Sequence, residues 1–249
     1  MNVIKFIKKE LAGQKWYDWA FMVVGLVLQL IAITVGFITG EPESPILIVS
    51  GLTGVVSVVL CSWGKISFYA FGFVQLFTYV FGFSVPNHLH GETIENGMYF
   101  VTMLAGMVIW FKNYRNNDKK KSIEIKAKKL GWKGNAITAV IFIVGTILYW
   151  KFLQNVKMPW DETLDSQPFV DSITSVPAYI AQFFMVFGFR EQWIYWCILD
   201  VGSVVLAARA GSPIMVCQFI FWTINTIYGF WKWHKSAVYE NYRIIDWKK

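Results

Sequence analysis

The sequence predicts an all-α membrane protein of eight spans. Three observations carry that expectation: the composition, the length of the apolar runs, and the placement of lysine and arginine. Hydrophobic residues make up 55% of the 249-residue chain and charged residues only 16%, against about 25% charged in a soluble domain. Such a chain cannot cover a water-facing surface with polar groups, which excludes a disordered protein, a collagen-like repeat and most soluble enzymes. Runs close to the ~20 apolar residues that cross a bilayer as a helix recur along the chain. Twenty of the 23 Lys/Arg residues fall on one side when the runs are threaded as eight spans with both termini inside, the bias expected of cytoplasmic segments.

Taken in order, residues 1–40 form a cytoplasmic N-terminus and an extra membrane helix. Its apolar run, 17–39, follows Lys5, Lys8, Lys9 and Lys15 and is too long for the core of a cleavable signal peptide, so it is read as retained. Residues 45–112 hold three spans, at 45–63, 66–85 and 96–111. Residues 113–153 hold a basic cytoplasmic loop and a single linking span at 135–152. Residues 171–233 hold three more, at 172–187, 192–208 and 213–233. Residues 234–249 are a cytoplasmic tail.

The Lys/Arg cluster from Lys112 to Lys133 is thereby an orienting loop in contact with anionic lipid headgroups, and nucleic acid is excluded as a partner. On the opposite side stand Lys151, Lys157 and Arg209, with Glu41, Glu43, Glu92, Glu95, Asp161, Glu162, Asp165 and Asp171. The three cysteines, Cys61, Cys197 and Cys217, lie in apolar runs and read as small buried hydrophobes.

A shift of about 125 residues lays the second triplet of spans on the first. Phe68, Phe71 and Gln75 then overlie Trp193, Trp196 and Asp200. Both sets read aromatic, aromatic, polar on one helical face. Two three-helix units joined by one helix share an orientation, so the core is a 3+1+3 bundle of parallel repeats. Parallel repeats are the arrangement known for SWEET-type transporters; the first helix here lies outside the core, and a substrate site is expected between the repeats near the midplane.

Polar groups at membrane depth mark candidate site residues. Asp200 is the only acidic residue well inside a predicted span, at a cost of about 2.5–3.5 kcal/mol at the helix centre on insertion scales. It shares a face with Trp193 and Trp196. One carboxylate with two indoles suits a ligand bearing a delocalised cationic ring. Trp193, near the inner end, also fits an interfacial belt. The last span carries Gln218, Trp222, Asn225 and Tyr228 on one stripe. Gln218 and Asn225 can bond an amide or ribose hydroxyls, or serve as glue between helices. Gln182, Gln75, Tyr79 and Asn96 complete the candidates, with a helix cap as the other role for Asn96. Pro177 reads either as a hinge for alternating access or as a static kink.

No catalytic or metal-binding motif is present. His88 and His90 fall in an outer loop and His234 at an inner helix end. No pattern for a nucleotide, a metal or a nucleophile occurs, so neither an enzyme nor a resident cofactor is expected. With Asp200 alone in the spans there is no carboxylate relay for proton coupling, which favours facilitated diffusion.

Trp193-Ile194-Tyr195-Trp196 resembles the WxxW pattern of PnuC-type vitamin transporters. Asn225-Thr226-Ile227-Tyr228-Gly229-Phe230-Trp231 resembles the family's N-x-x-Y-G-x-W ending of the last helix, and Gly51-Leu52-Thr53-Gly54-Val55 its first-repeat helix. The resemblance runs from about Pro45 to Trp233. It implies a full-length SWEET-like fold and a homotrimer in a bacterial inner membrane that takes up nicotinamide riboside by facilitated diffusion, with a cytoplasmic kinase that phosphorylates and traps the cargo. It places substrate contacts on Trp193, Trp196, Asn225 and Gln182. Relatives of the family carry thiamine or riboflavin, and these remain the alternative cargoes.

Overall fold

The computed structural model describes residues 3–116, 127–159 and 161–236. Regular structure among them is helical: α1 (Val3–Leu11), α2 (Trp16–Thr39), α3 (Pro45–Ser62), α4 (Phe68–Tyr79), α5 (His90–Asn116), α6 (Trp132–Leu153), α7 (Pro168–Phe187), α8 (Gln192–Arg209) and α9 (Pro213–Ser236), with a π-helical turn, Val80–Ser84, continuing α4. Residues 117–126 of the basic loop and all but the start of the C-terminal tail lie outside the described residues.

Among the described residues, six helices are long and apolar enough to cross a membrane: α2, α3, the stretch His90–Lys112 of α5, α6, α7 and α9. Phe68–Ser84 is a shorter apolar helix. α8 is not among the six, because Gln192, Asp200 and Arg209 dilute its apolar run.

α2 shows how its sequence sets its packing. Asp18, Met22, Gly25, Gln29, Ala32 and Gly36 are its buried residues, spaced alternately four and three apart as one seam. That seam meets α3 and α9, while Val23, Val24, Val27, Leu30 and Ile31 face outward. At its N-terminus the Asp18 carboxylate accepts the Lys15 backbone N–H at 2.8 Å, answering a donor that no helical carbonyl reaches.

α3 starts on Pro45 after Ser44, the residue whose missing N–H costs nothing at a first helical position. It packs on α4 and α9, α7 packs on α5, α6 and α8, and α8 packs on α9. Small residues allow close approach where lipid supplies no hydrophobic drive between helices. A Cβ on Gly54 would stand 2.7 Å from the Gln218 amide nitrogen and 2.9 Å from the Trp222 ring. α6 touches the bundle mainly through α7 and is otherwise apolar and exposed.

The structure corrects several sequence expectations. α1 was not anticipated. α5 begins at His90, six residues before the predicted start of that span, because distant carboxylates cap it. Asp165 accepts the N–H groups of His90 and Gly91 at 2.9 and 3.2 Å, and Asp171 accepts that of Gly91 at 2.8 Å. Asn96 therefore lies inside α5 and donates to the Glu92 carbonyl at 2.7 Å, so it caps nothing. Glu92 and Glu95 are helical and buried rather than exposed in an outer loop, and Asp171 is buried within α7. Asp200 is thus not alone among acidic residues inside the helices. α7 continues through Pro177.

Candidate functional site

Six helices converge on one cavity of about 120 Å³, measured as the space open to water centres. α3 contributes Ser57 and Cys61, α4 Phe68 and Gln75, α5 Tyr99 and Met103, α7 Gln182 and Met185, α8 Trp193, Trp196 and Asp200, and α9 Trp222, Asn225 and Thr226. Every helix of the two predicted triplets reaches it. Most of the wall is apolar, with five aromatic and two thioether side chains, and the polar groups are few: one carboxyl, three amides and hydroxyls. This is the usual make-up of a small-molecule site.

The α8 face arises from i, i+3, i+7 spacing. Trp193 is almost fully buried, edge-on to Trp233 with ring centroids 5.8 Å apart. It lies directly over Gly229, where a Cβ would come within 2.7 Å of its ring. It is therefore an internal wall and not an interfacial belt residue. Trp196 donates its indole N–H to the Gln192 side-chain oxygen at 3.3 Å and lies 5.8 Å, centroid to centroid, from Tyr99. Asp200 is buried. Among the described residues no lysine, arginine or histidine forms an ion pair with it. Its neighbours in charge are Glu92 and Glu95.

The amides divide their work. Asn225 accepts from Ser62 Oγ at 2.8 Å and donates to the Val58 carbonyl at 3.2 Å. It is glue between α9 and α3, and it keeps one N–H of its amide for the cavity it lines. Gln182 donates to Thr102 Oγ1 at 2.8 Å. Gln75 lines the cavity from the α4 side. Of its overlaid partners Phe68 also lines it, whereas Phe71 faces outward.

Four sequence candidates lie apart from the cavity wall. Tyr79 donates its hydroxyl to Glu92 Oε2 at 2.8 Å. Asn96 is engaged by the α5 backbone. Gln218 is fully buried with neither amide atom hydrogen-bonded. Tyr228 belongs to a separate cluster: it donates to Asp18 and accepts from Trp63 Nε1 and Lys232 Nζ, each at 3.2 Å. Lys232 also pairs with Asp18 at 3.2 Å, so Tyr228 ties α9 to α2.

Residues the sequence reading missed are Glu92, Glu95 and Tyr99. Their spacing of three and four is one helical stripe leading to the cavity. A signal existed, but charge made the stretch look like loop. The Glu95 carboxyl and the Tyr99 hydroxyl are buried beside one another, with Ser175 also next to Glu95.

On the side where α4 and α5 join, the loop between α6 and α7 brings Asp161 to His88 and His90. Asp161 Oδ2 stands 2.6 Å from His88 Nδ1 and 3.2 Å from His90 Nε2. The His88 ring, with the Thr163 N–H and hydroxyl, holds the Asp161 carboxyl well below the usual carboxylate range.

The family model for nicotinamide mononucleotide transporters matches residues 44–235. A nicotinamide riboside transporter PnuC of Haemophilus influenzae is 31% identical over 221 residues, covering 89% of this chain and 92% of that one. The PnuC of Neisseria mucosa is 26% identical over 92% of this chain and 85% of its own. The crystal structure of the vitamin B3 transporter PnuC superposes with a TM-score of 0.79 over 95% of this chain and 98% of its own at 23% identity, a likeness of fold.

Proposed function

From the membership of this chain in the nicotinamide mononucleotide transporter family, we propose that it takes up nicotinamide riboside across a bacterial inner membrane by facilitated diffusion. One observation carries the choice of cargo. The only acidic group lining the cavity, Asp200, lacks a basic partner among the described residues, and it shares one helical face with Trp193 and Trp196. Nicotinamide riboside is a permanent pyridinium cation with a carboxamide and a ribose. Indole faces attract such a ring by about 0.5–2 kcal/mol each. Gln182, Gln75 and Asn225 supply the polar contacts that orient its other groups.

The proposal includes the architecture. We read eight spans, with Phe68–Ser84 and α8 crossing inside the bundle where neighbours shield their polar groups. The packing of α3 on α9 and of α7 on α5 supports parallel repeats, since each pairs the first helix of one triplet with the third of the other. Both termini are cytoplasmic by the Lys/Arg bias. The homotrimer and the trapping kinase rest on the family resemblance.

Binding titrations on purified protein with nicotinamide riboside, nicotinamide, thiamine and riboflavin test the cargo. Nicotinamide riboside is expected to bind tightest, and tight binding of thiamine alone overturns the assignment. Uptake into sealed vesicles under imposed proton and sodium gradients tests the energetics. Equilibration without accumulation is expected, and accumulation above the outside concentration refutes passive movement.

A further inference from the structure

We propose that His88, His90 and Asp161 form a binding site for a divalent metal ion of the zinc class, clasping the α4–α5 loop to the α6–α7 loop. His88-Leu89-His90 is adjacent in sequence, but Asp161 arrives from more than 70 residues away. One ligand atom from each residue converges, all three within 4.8 Å of one another. In a tetrahedral zinc site, ligand atoms about 2.0–2.2 Å from the metal stand about 3.3 Å from each other. The His90 Nε2 to Asp161 Oδ2 separation of 3.2 Å already fits, and the His88 Nδ1 separation of 2.6 Å needs to open by less than ~1 Å.

Three further features distinguish this cluster from a chance ion pair. His88 has a φ of +53°, the left-handed region, where no other non-glycine residue among those described lies. Such backbone strain gathers where a side chain must be aimed. The carboxylate is fixed from behind, because the Thr163 N–H and hydroxyl reach Asp161 Oδ1 at 3.0 and 2.8 Å and leave Oδ2 for the histidines. Partners of this kind orient metal ligands. His90 is buried with Nδ1 lacking any hydrogen bond. Its Nε2 is the ring nitrogen turned toward Asp161, at 3.2 Å, so the second imidazole approaches the cluster from inside the protein. The His88 side chain is 49% exposed, which leaves a route for the ion and room for a water as fourth ligand.

The test uses full-length, tag-free protein in detergent, stripped with chelator and titrated with Zn²⁺ and, separately, Co²⁺. Expected are one saturable equivalent of Zn²⁺, a chelator-reversible rise in Tm and a tetrahedral Co²⁺ absorption band. His88→Ala and Asp161→Asn should each weaken Zn²⁺ binding by at least about 100-fold, and Thr163→Val by about 10–100-fold. A cooperative melting transition and monodisperse elution of each metal-free variant verify that it is folded. Absence of saturable binding to the unaltered chain, or equal binding by folded His88→Ala and Asp161→Asn, overturns the assignment.

Discussion

Replacing Asp200 by asparagine separates charge from shape. Asparagine keeps the volume and an acceptor oxygen but removes the charge. Atom centres inside a compact space of 120 Å³ range over about 6 Å, so a cation at its middle, about 3 Å from the boundary and ~3 Å more from the wall atoms, lies about 6 Å from the carboxyl that lines it. At an effective dielectric constant near 20, unit charges at that distance attract by about 3 kcal/mol. Desolvating the carboxylate returns part of this. The expected loss is therefore about 1.5–3 kcal/mol, or roughly 10–150-fold in Kd. The assay is calorimetric titration with two ligands of nearly the same size, nicotinamide riboside and its reduced, uncharged form. The cation should lose the full factor and the neutral ligand only a few-fold. Equal losses for both would show that Asp200 acts through packing or hydrogen bonding, and no loss for either would remove it from the site.

Two further substitutions probe the aromatic wall. Trp196→Ala should raise the Kd for nicotinamide riboside by about tenfold or more, the loss of one desolvated cation–π contact, with the protein still folded by its melting profile; unchanged affinity would make Trp196 a packing residue. Gly229→Ala places a methyl 2.7 Å from the Trp193 ring, which must move or strain at about 1–3 kcal/mol. A lowered Tm together with weaker binding is expected, and an unaltered Tm would contradict the packing described.

Elements whose signal is local were legible in the sequence. α2, α3, α6, α7 and α9 each announce themselves by an apolar run with Pro or polar residues at its ends. The α8 face of Trp193, Trp196 and Asp200 follows from spacing alone. What failed to read correctly depends on tertiary partners. The start of α5 is set by Asp165 and Asp171, 75 and 80 residues away in sequence. No local pattern reveals that, so Glu92 and Glu95 passed for loop residues. Tyr228 has the right spacing on α9, but Asp18 and Lys232 draw its hydroxyl away from the cavity. The convergence of Asp161 on two histidines is likewise a product of the fold.

The burial of several carboxylates in a chain with few internal cations has a consequence for Glu95. Asp165 and Asp171 are answered by the N–H groups that cap α5, and Glu92 by the Tyr79 hydroxyl. Glu95 is buried beside the cavity-lining Tyr99 hydroxyl and Ser175, and no lysine, arginine or histidine among the described residues forms an ion pair with it. A buried acid without a counter-charge destabilises the empty protein, and a neutral group of the same shape often restores stability. Under the proposed function, a cationic cargo in the cavity would supply the missing charge, and compensation would then call for no separate ion. Glu95→Gln should therefore raise the Tm of the empty protein, by a few degrees, while lowering affinity for the cation less than Asp200→Asn does, because Glu95 lies behind the cavity wall. Differential scanning on the empty protein and titration with nicotinamide riboside read the two effects separately. A lowered Tm with unchanged affinity would mean that Glu95 is a structural hydrogen-bonding group, with no part in compensating the cargo's charge.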